Sequence, residues 1–185
     1  LLLHAGAVGC EAGGVLLVGR GGSGKSTSAL ACVQAGLRYL SDDYCLLTHQ
    51  PALTLHSLYC SAKLHRADLQ RFPALLPLLS NPDTPGEEKA LCFLQRDAVT
   101  IQPSVPLRAV LIPRVTGETD SRLRSAPPMA ALQALAPSTL LQLPEAGAEE
   151  LTHLRDVVTR VPCYWLDAGT DLDQIPTLVE KATTG

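Results

Sequence analysis

VLLVGRGGSGKSTSALACVQAG, residues 15–36, is the stretch of this 185-residue sequence whose reading decides the fold. It opens on the apolar run VLLVG (15–19), the pattern of a strand buried on both faces. A glycine-rich loop follows, and then a segment with Ala29, Leu30 and Val33 at helical spacing, closed by Gly36 where a C-terminal cap belongs. Between strand and helix, Gly19, Gly24, Lys25 and Ser26 satisfy the spacing G-x-x-x-x-G-K-[ST]. The chemistry explains the residue types. Gly19, Gly21, Gly22 and Gly24 let the backbone turn tightly, so that successive N–H groups converge on phosphate oxygens. Lys25 brings a mobile positive charge to the outer phosphates, and the Ser26 hydroxyl suits Mg2+. Ser23 and Thr27 complete the expected nucleotide-binding set, and the helix aims its positive dipole end at the same anion. A glycine turn with an exposed lysine is the bland alternative; the strand before and the helix after favour a nucleotide cradle.

Working outward, LRYLSDDYCLL (37–47) reads as a strand, an acidic turn and a second strand. Asp42 and Asp43 lie 17 and 18 residues beyond Lys25, on the strand next in sequence to the cradle. Ligands of an open α/β sheet gather at the carboxyl ends of its strands, which puts both carboxylates beside the phosphates. One can serve Mg2+ while the other accepts a hydroxyl proton. An ordinary acidic turn is the competing reading. Upstream, LLLHAGAV (1–8) reads as a short buried strand and GCEAGG as a turn. His4 interrupts that strand, either as a hydrogen-bonded core residue or as a catalytic group.

Downstream, ALTLHSLYC alternates like a strand, HRADLQRFPALLPLLS suggests short helices interrupted by Pro73 and Pro77, and SNPDTPGEEK (80–89) a surface loop. LCFLQ, AVTIQ and LRAVLIPRV follow as strands. PPMAALQALA, the run around PSTLLQL and GAEELTHLRDVVTRV read as helices, PCYWLDAG as a strand and DLDQIPTLVEKA as a closing helix. The expectation is one α/β domain over residues 1–185, with no internal repeat; the start at Leu1 suggests that an N-terminal portion is missing.

The net charge of -3, with a pI near 5.9, and aromatics at 4% argue against nucleic acid or an anionic membrane as partner. Mean hydropathy is +0.15, and the apolar opening is too short to span a bilayer and has no basic flank. The six scattered cysteines show neither C-x-x-C pairs nor zinc spacing, which suits reduced, mostly buried thiols in a cytoplasmic protein.

Residues 1–47 resemble the catalytic core of the HPr kinase/phosphorylase family. There a histidine-bearing strand leads through a hairpin to the P-loop strand, a helix ending in Gly, and a strand closing on Asp-Asp. His4, Gly19, Gly24, Lys25, Ser26, Asp42 and Asp43 stand at the family's spacing. The resemblance implies a P-loop kinase domain like that family and the phosphoenolpyruvate carboxykinase catalytic domain, a mixed central sheet flanked by helices. It implies ATP and Mg2+, with Lys25 and Ser26 on phosphates and metal, Asp43 as general base, Asp42 beside the metal and His4 assisting. The family's downstream Glu-x-Arg-Gly segment is absent, with Asp68, Glu87 and Glu88 as substitutes or as plain surface charges, and the segment that grips the protein substrate is not evident. The expected function is therefore an ATP-dependent kinase acting on a hydroxyl of a protein, a peptide or a small molecule. A silent nucleotide-binding regulator and a hydrolase or carboxykinase-like enzyme are the alternatives, and a homo-oligomer is left open. Lys63, Arg108 and Arg114 are candidate phosphate or acceptor contacts or surface charges, and Tyr164 and Trp165 read as packing residues.

Overall fold

The computed structural model describes residues 1–82, 88–94, 101–141 and 147–185. The first half of the chain forms β1 (Leu2–His4), β2 (Gly6–Cys10), β3 (Gly13–Leu17), α1 (Lys25–Gln34), β4 (Arg38–Ser41), β5 (Tyr44–Thr48), β6 (Thr54–Ser57) and β7 (Ser61–His65). Two 3-10 helices, Arg66–Arg71 and Pro73–Leu78, lead to β8 (Lys89–Phe93), β9 (Ser104–Val115) and β10 (Arg122–Ser125). α2 (Pro128–Leu140), α3 (Ala148–Arg160), β11 (Cys163–Ala168) and α4 (Gln174–Thr184) complete it.

The side chains around β3 divide between two cores, which is why its sequence is apolar without alternation. Leu16 and Val18 join the core under α2 and α3, with Leu135, Leu154 and Val157. Val15 and Leu17 join the core under α1 and α4, with Leu30, Ile175 and Val179. The result is a mixed central sheet with helices on both faces, in the order β1-β5-β6-β9-β3-β2-β4. The long β9 also carries β11 as a parallel neighbour, and β10 lies antiparallel to β11 beyond it. β7 and β8 form a separate two-stranded ribbon.

Two consequences of register position the candidate site. β3 and β9 are parallel, and β4 reaches the orientation of β3 through two antiparallel steps across β2. The carboxyl ends of β3 and β4 therefore lie at one edge of the sheet. In addition, the chain passes directly from β1 to β2 and from β4 to β5, while β1 pairs β5 and β2 pairs β4. The pairs His4↔Tyr44 and Ala7↔Ser41 bracket a bend that sets Ala5 and Gly6 opposite Asp42 and Asp43. Ser41 Oγ donates to the Tyr44 carbonyl across the turn. A Cβ on Gly6 would come within 3.3 Å of the Asp42 carbonyl oxygen, so a small residue is needed where the two bends meet.

The opening apolar segment is two strands, β1 and β2, because the bend at Ala5 transfers the chain between neighbours. β7 and β10 are strands that the periodicity did not single out. α2 runs through Pro137 as one helix to Leu140. Of the expected strand AVTIQ, residues 98–100 lie outside the described residues, and Ile101 makes an isolated bridge to Tyr39. Much of the loop at 80–89 and Gln95 lie outside them too. None of the six cysteines is in a disulfide; Cys32, Cys45, Cys92 and Cys163 are buried and Cys60 is exposed. Among the described residues no helix is long and apolar enough to cross a membrane.

Candidate functional site

The loop between β3 and α1 curls because its glycines take backbone angles that other residues resist. Gly22 has φ +77° and Gly24 φ +98°, and a Cβ on Gly24 would also press on Val115 at 3.3 Å. Gly24 is the residue before α1, whose start has no side-chain cap hydrogen bond. The first-turn N–H groups of α1 are thus open to an external acceptor, and the helix dipole favours an anionic one. Lys25 is folded back over the loop: its Nζ donates to the carbonyls of Gly19 (2.6 Å) and Arg20 (3.1 Å). Burial lowers its pKa, although the neighbouring Asp42 and Asp43 act in the opposite direction.

The two carboxylates at the β4–β5 bend have different environments. Asp42 is 2% exposed. Its Oδ2 accepts the Lys63 backbone N–H at 2.7 Å, and its Oδ1 is buried without a partner. Burial pushes its pKa up to about 6, against the pull of Lys63 N–H, Ser26 and Lys25. Asp43 faces the cleft and pairs with Lys63 Nζ at 3.0 Å. β7 thus approaches both carboxylates through one residue, backbone to Asp42 and ammonium to Asp43.

His4 belongs to the same cleft, since its register partner Tyr44 follows Asp43 directly. The two rings are 5.1 Å apart, and His4 Nδ1 is buried without a hydrogen-bond partner. Burial lowers the imidazole pKa, and Lys25 lowers it further, so the ring is neutral at pH 7. The cleft encloses about 270 Å³, with the glycine loop and the start of α1 on one side and Lys63, His65, Asp68, Arg71 and Lys89 on the other. Gly21, Gly22, Gly24, Ser26 and Thr27 line it directly; Gly19 and Ser23 line an adjacent cavity with Arg20 and Arg114.

The structure brings His4, Lys25, Ser26, Asp42, Asp43 and Lys63 together from β1, the start of α1, the β4–β5 bend and β7. It does not bring Arg108, whose Nε donates to the Ala12 carbonyl at 2.8 Å at the far end of the β2–β3 hairpin. Arg114 is engaged by Asp167 at 2.6 Å and lies over the Trp165 ring, 4.3 Å from its centroid, which accounts for Trp165 as a packing residue. Tyr164 packs against the core under α1 and α4. Asp68 reaches the cleft and pairs with Arg71, Glu88 is exposed, and Glu87 lies outside the described residues. His65, Arg71 and Lys89 are cleft residues that sequence reading missed. A period-two alternation in SAKLH was the available signal for the first, but their meeting depends on ribbon pairing.

No family model matches the chain, and no curated protein does. Among solved structures, the chain is similar to the HPr(Ser) kinase/phosphatase from Coxiella burnetii, at 14% sequence identity and a TM-score of 0.49, over 98% of this chain and 93% of that one.

Proposed function

We propose that the chain is an ATP-dependent phosphotransferase that moves the γ-phosphoryl group of ATP to a hydroxyl. The observation that carries this reading is the meeting of an uncapped, glycine-cradled helix start bearing Lys25 with a recessed carboxylate and an accessible one at the same sheet edge. Simple nucleotide binding needs the first of these, while transfer also needs a proton acceptor.

Mg2+ fits the residues present. Asp42 holds an unpartnered buried oxygen, Ser26 favours its charged form, and its desolvated carboxylate lacks a full countercharge. Among the described residues no three of His, Cys, Asp and Glu gather to hold a metal. That suits Mg2+, which is usually held by one or two protein oxygens together with phosphates and water. When bound it neutralises the charge on the phosphate oxygens.

The chain's own groups supply the rest. The first-turn N–H groups of α1 and the Lys25 ammonium bind the phosphates, with Lys25 exchanging its carbonyl contacts for phosphate oxygen. The acceptor oxygen forms its bond to the γ-phosphorus as the bond to the bridging oxygen breaks and ADP leaves. The hydroxyl proton passes to Asp43. Lys63 holds that carboxylate in place, and neutral His4 lends a hydrogen bond within the site.

The test is single-turnover transfer with Asp43→Asn beside nucleotide affinity. General-base assistance is worth on the order of 10²–10⁴ in rate, so transfer falls by that factor while ATP and Mg2+ still bind. Transfer at the wild-type rate overturns the assignment of Asp43.

A further inference from the structure

The wall opposite the glycine loop carries more positive charge than the transfer step uses. The β7–β8 ribbon turns Ala62, Leu64, Ala90 and Cys92 inward, and its alternation leaves Lys63, His65 and Lys89 on the outer side. His65 and Lys89 are direct cross-strand partners, and all three outer residues line the cleft. Two of the neighbouring cations are committed: Lys63 to Asp43 at 3.0 Å, and Arg71 to Asp68 at 3.6 Å and to the Thr170 carbonyl at 3.0 Å. Lys89 makes no ion pair among the described residues. Its charge nevertheless acts on the cleft, where it helps to lower the pKa values of Lys25 and His4.

We infer that the Lys63–His65–Lys89 face of the ribbon is the acceptor's anion site, and that the acceptor is a small hydroxyl compound carrying a carboxylate or phosphate group. This rests on the kinase reading above. Lys25 is taken up by the nucleotide phosphates in that reading, which leaves Lys89 as the cleft lysine with no ion pair among the described residues. An acceptor anion on Lys89 and His65 lies next to Lys63, whose other neighbour is Asp43, so the hydroxyl of a short molecule falls at the base. The size agrees: a cleft of about 270 Å³, just below the usual range of pockets for drug-sized ligands, suits a triphosphate end together with a compact acceptor. A charged anchor also confers selectivity, since an uncharged alcohol offers the Lys89 ammonium no counter-charge.

Calorimetry on the full chain saturated with MgADP tests this, using glycerate, glycerol 3-phosphate and uncharged glycerol as probes. At least one anion binds, with glycerol 100-fold weaker or undetected, and the stronger anion shows whether carboxylate or phosphate is preferred. Lys89→Met weakens that anion at least tenfold and Lys89→Arg restores part of the affinity, with MgADP affinity and Tm unchanged in both. Equal binding of glycerol, wild-type anion affinity in Lys89→Met, or preference for an acidic seryl peptide over both small anions overturns the proposal while MgADP binding stands. Failure of the wild-type protein to bind MgADP overturns the kinase reading, and this proposal with it.

Discussion

Asp42→Asn should make the metal-free protein more stable while it abolishes tight metal–nucleotide binding. The Asp42 carboxyl is 2% exposed and titrates near 6, where an ordinary aspartate titrates at 3.8. Between those values the folded state holds a proton that the unfolded chain has released, so stability falls as pH rises from about 4 to about 6. Above that window the loss is complete. A gap of about 2 units at roughly 1.4 kcal/mol each puts the cost at about 3 kcal/mol at pH 7. That is a sizeable part of the 5–15 kcal/mol that typically separates folded from unfolded chains. Asparagine keeps an acceptor for the Lys63 N–H and offers Ser26 a donor, without the buried charge. In EDTA at pH 7, Asp42→Asn should therefore raise stability by about 3 kcal/mol, or Tm by roughly 6–12 °C for a chain of this size. The gain should vanish at pH 4. With Mg2+ and ATP the order reverses, because the wild-type carboxylate then has its countercharge. Urea unfolding at several pH values, with and without MgATP, gives both halves. An Asp42→Asn protein less stable than wild type in EDTA at pH 7 would refute the reasoning, since Ser26, Lys63 and Lys25 would then outweigh the burial of the charge.

Two further outcomes follow from the same geometry. Lys25→Ala removes a charged donor worth about 1.5–3 kcal/mol, so calorimetric ATP affinity should fall on the order of 10- to 150-fold in a protein that remains folded; an unchanged affinity removes the glycine loop from nucleotide binding. His4→Ala should lower the transfer rate more than ATP affinity, because the ring faces the cleft beside Asp43 and Tyr44; a normal rate with a reduced Tm would make it a packing residue.

Local pattern determined a good deal of this protein. The apolar run at 15–18, the glycine spacing and the helix after it are short-range facts, since strand, turn and helix there are each set by residues within a few positions. The same locality made β4, β5, β11 and α4 legible, along with the 3-10 turns around Pro73 and Pro77. It failed where an element owes its existence to a distant partner. β10 is mostly exposed and persists because Arg122 to Ser125 pair with Asp167 to Tyr164. β7 exists as half of a ribbon whose other half begins 24 residues later at Lys89.

The candidate site divides along the same line. Gly24, Lys25, Ser26 and the adjacent aspartates could be named from the sequence because their spacing is local. Which aspartate is recessed and which is accessible could not, because the pleat and the bend opposite Gly6 decide it, and neighbouring strand residues look equivalent until the sheet is assembled. Nor could the sequence separate Lys63 from Arg108 and Arg114, three basic residues on strands. Their roles diverge only in three dimensions: Arg108 closes a hairpin far from the cleft, Arg114 is held by Asp167 and Trp165, and Lys63 contacts both carboxylates. Composition carries charge, but only long-range strand pairing fixes which charges meet, and that pairing was decided by the tertiary structure.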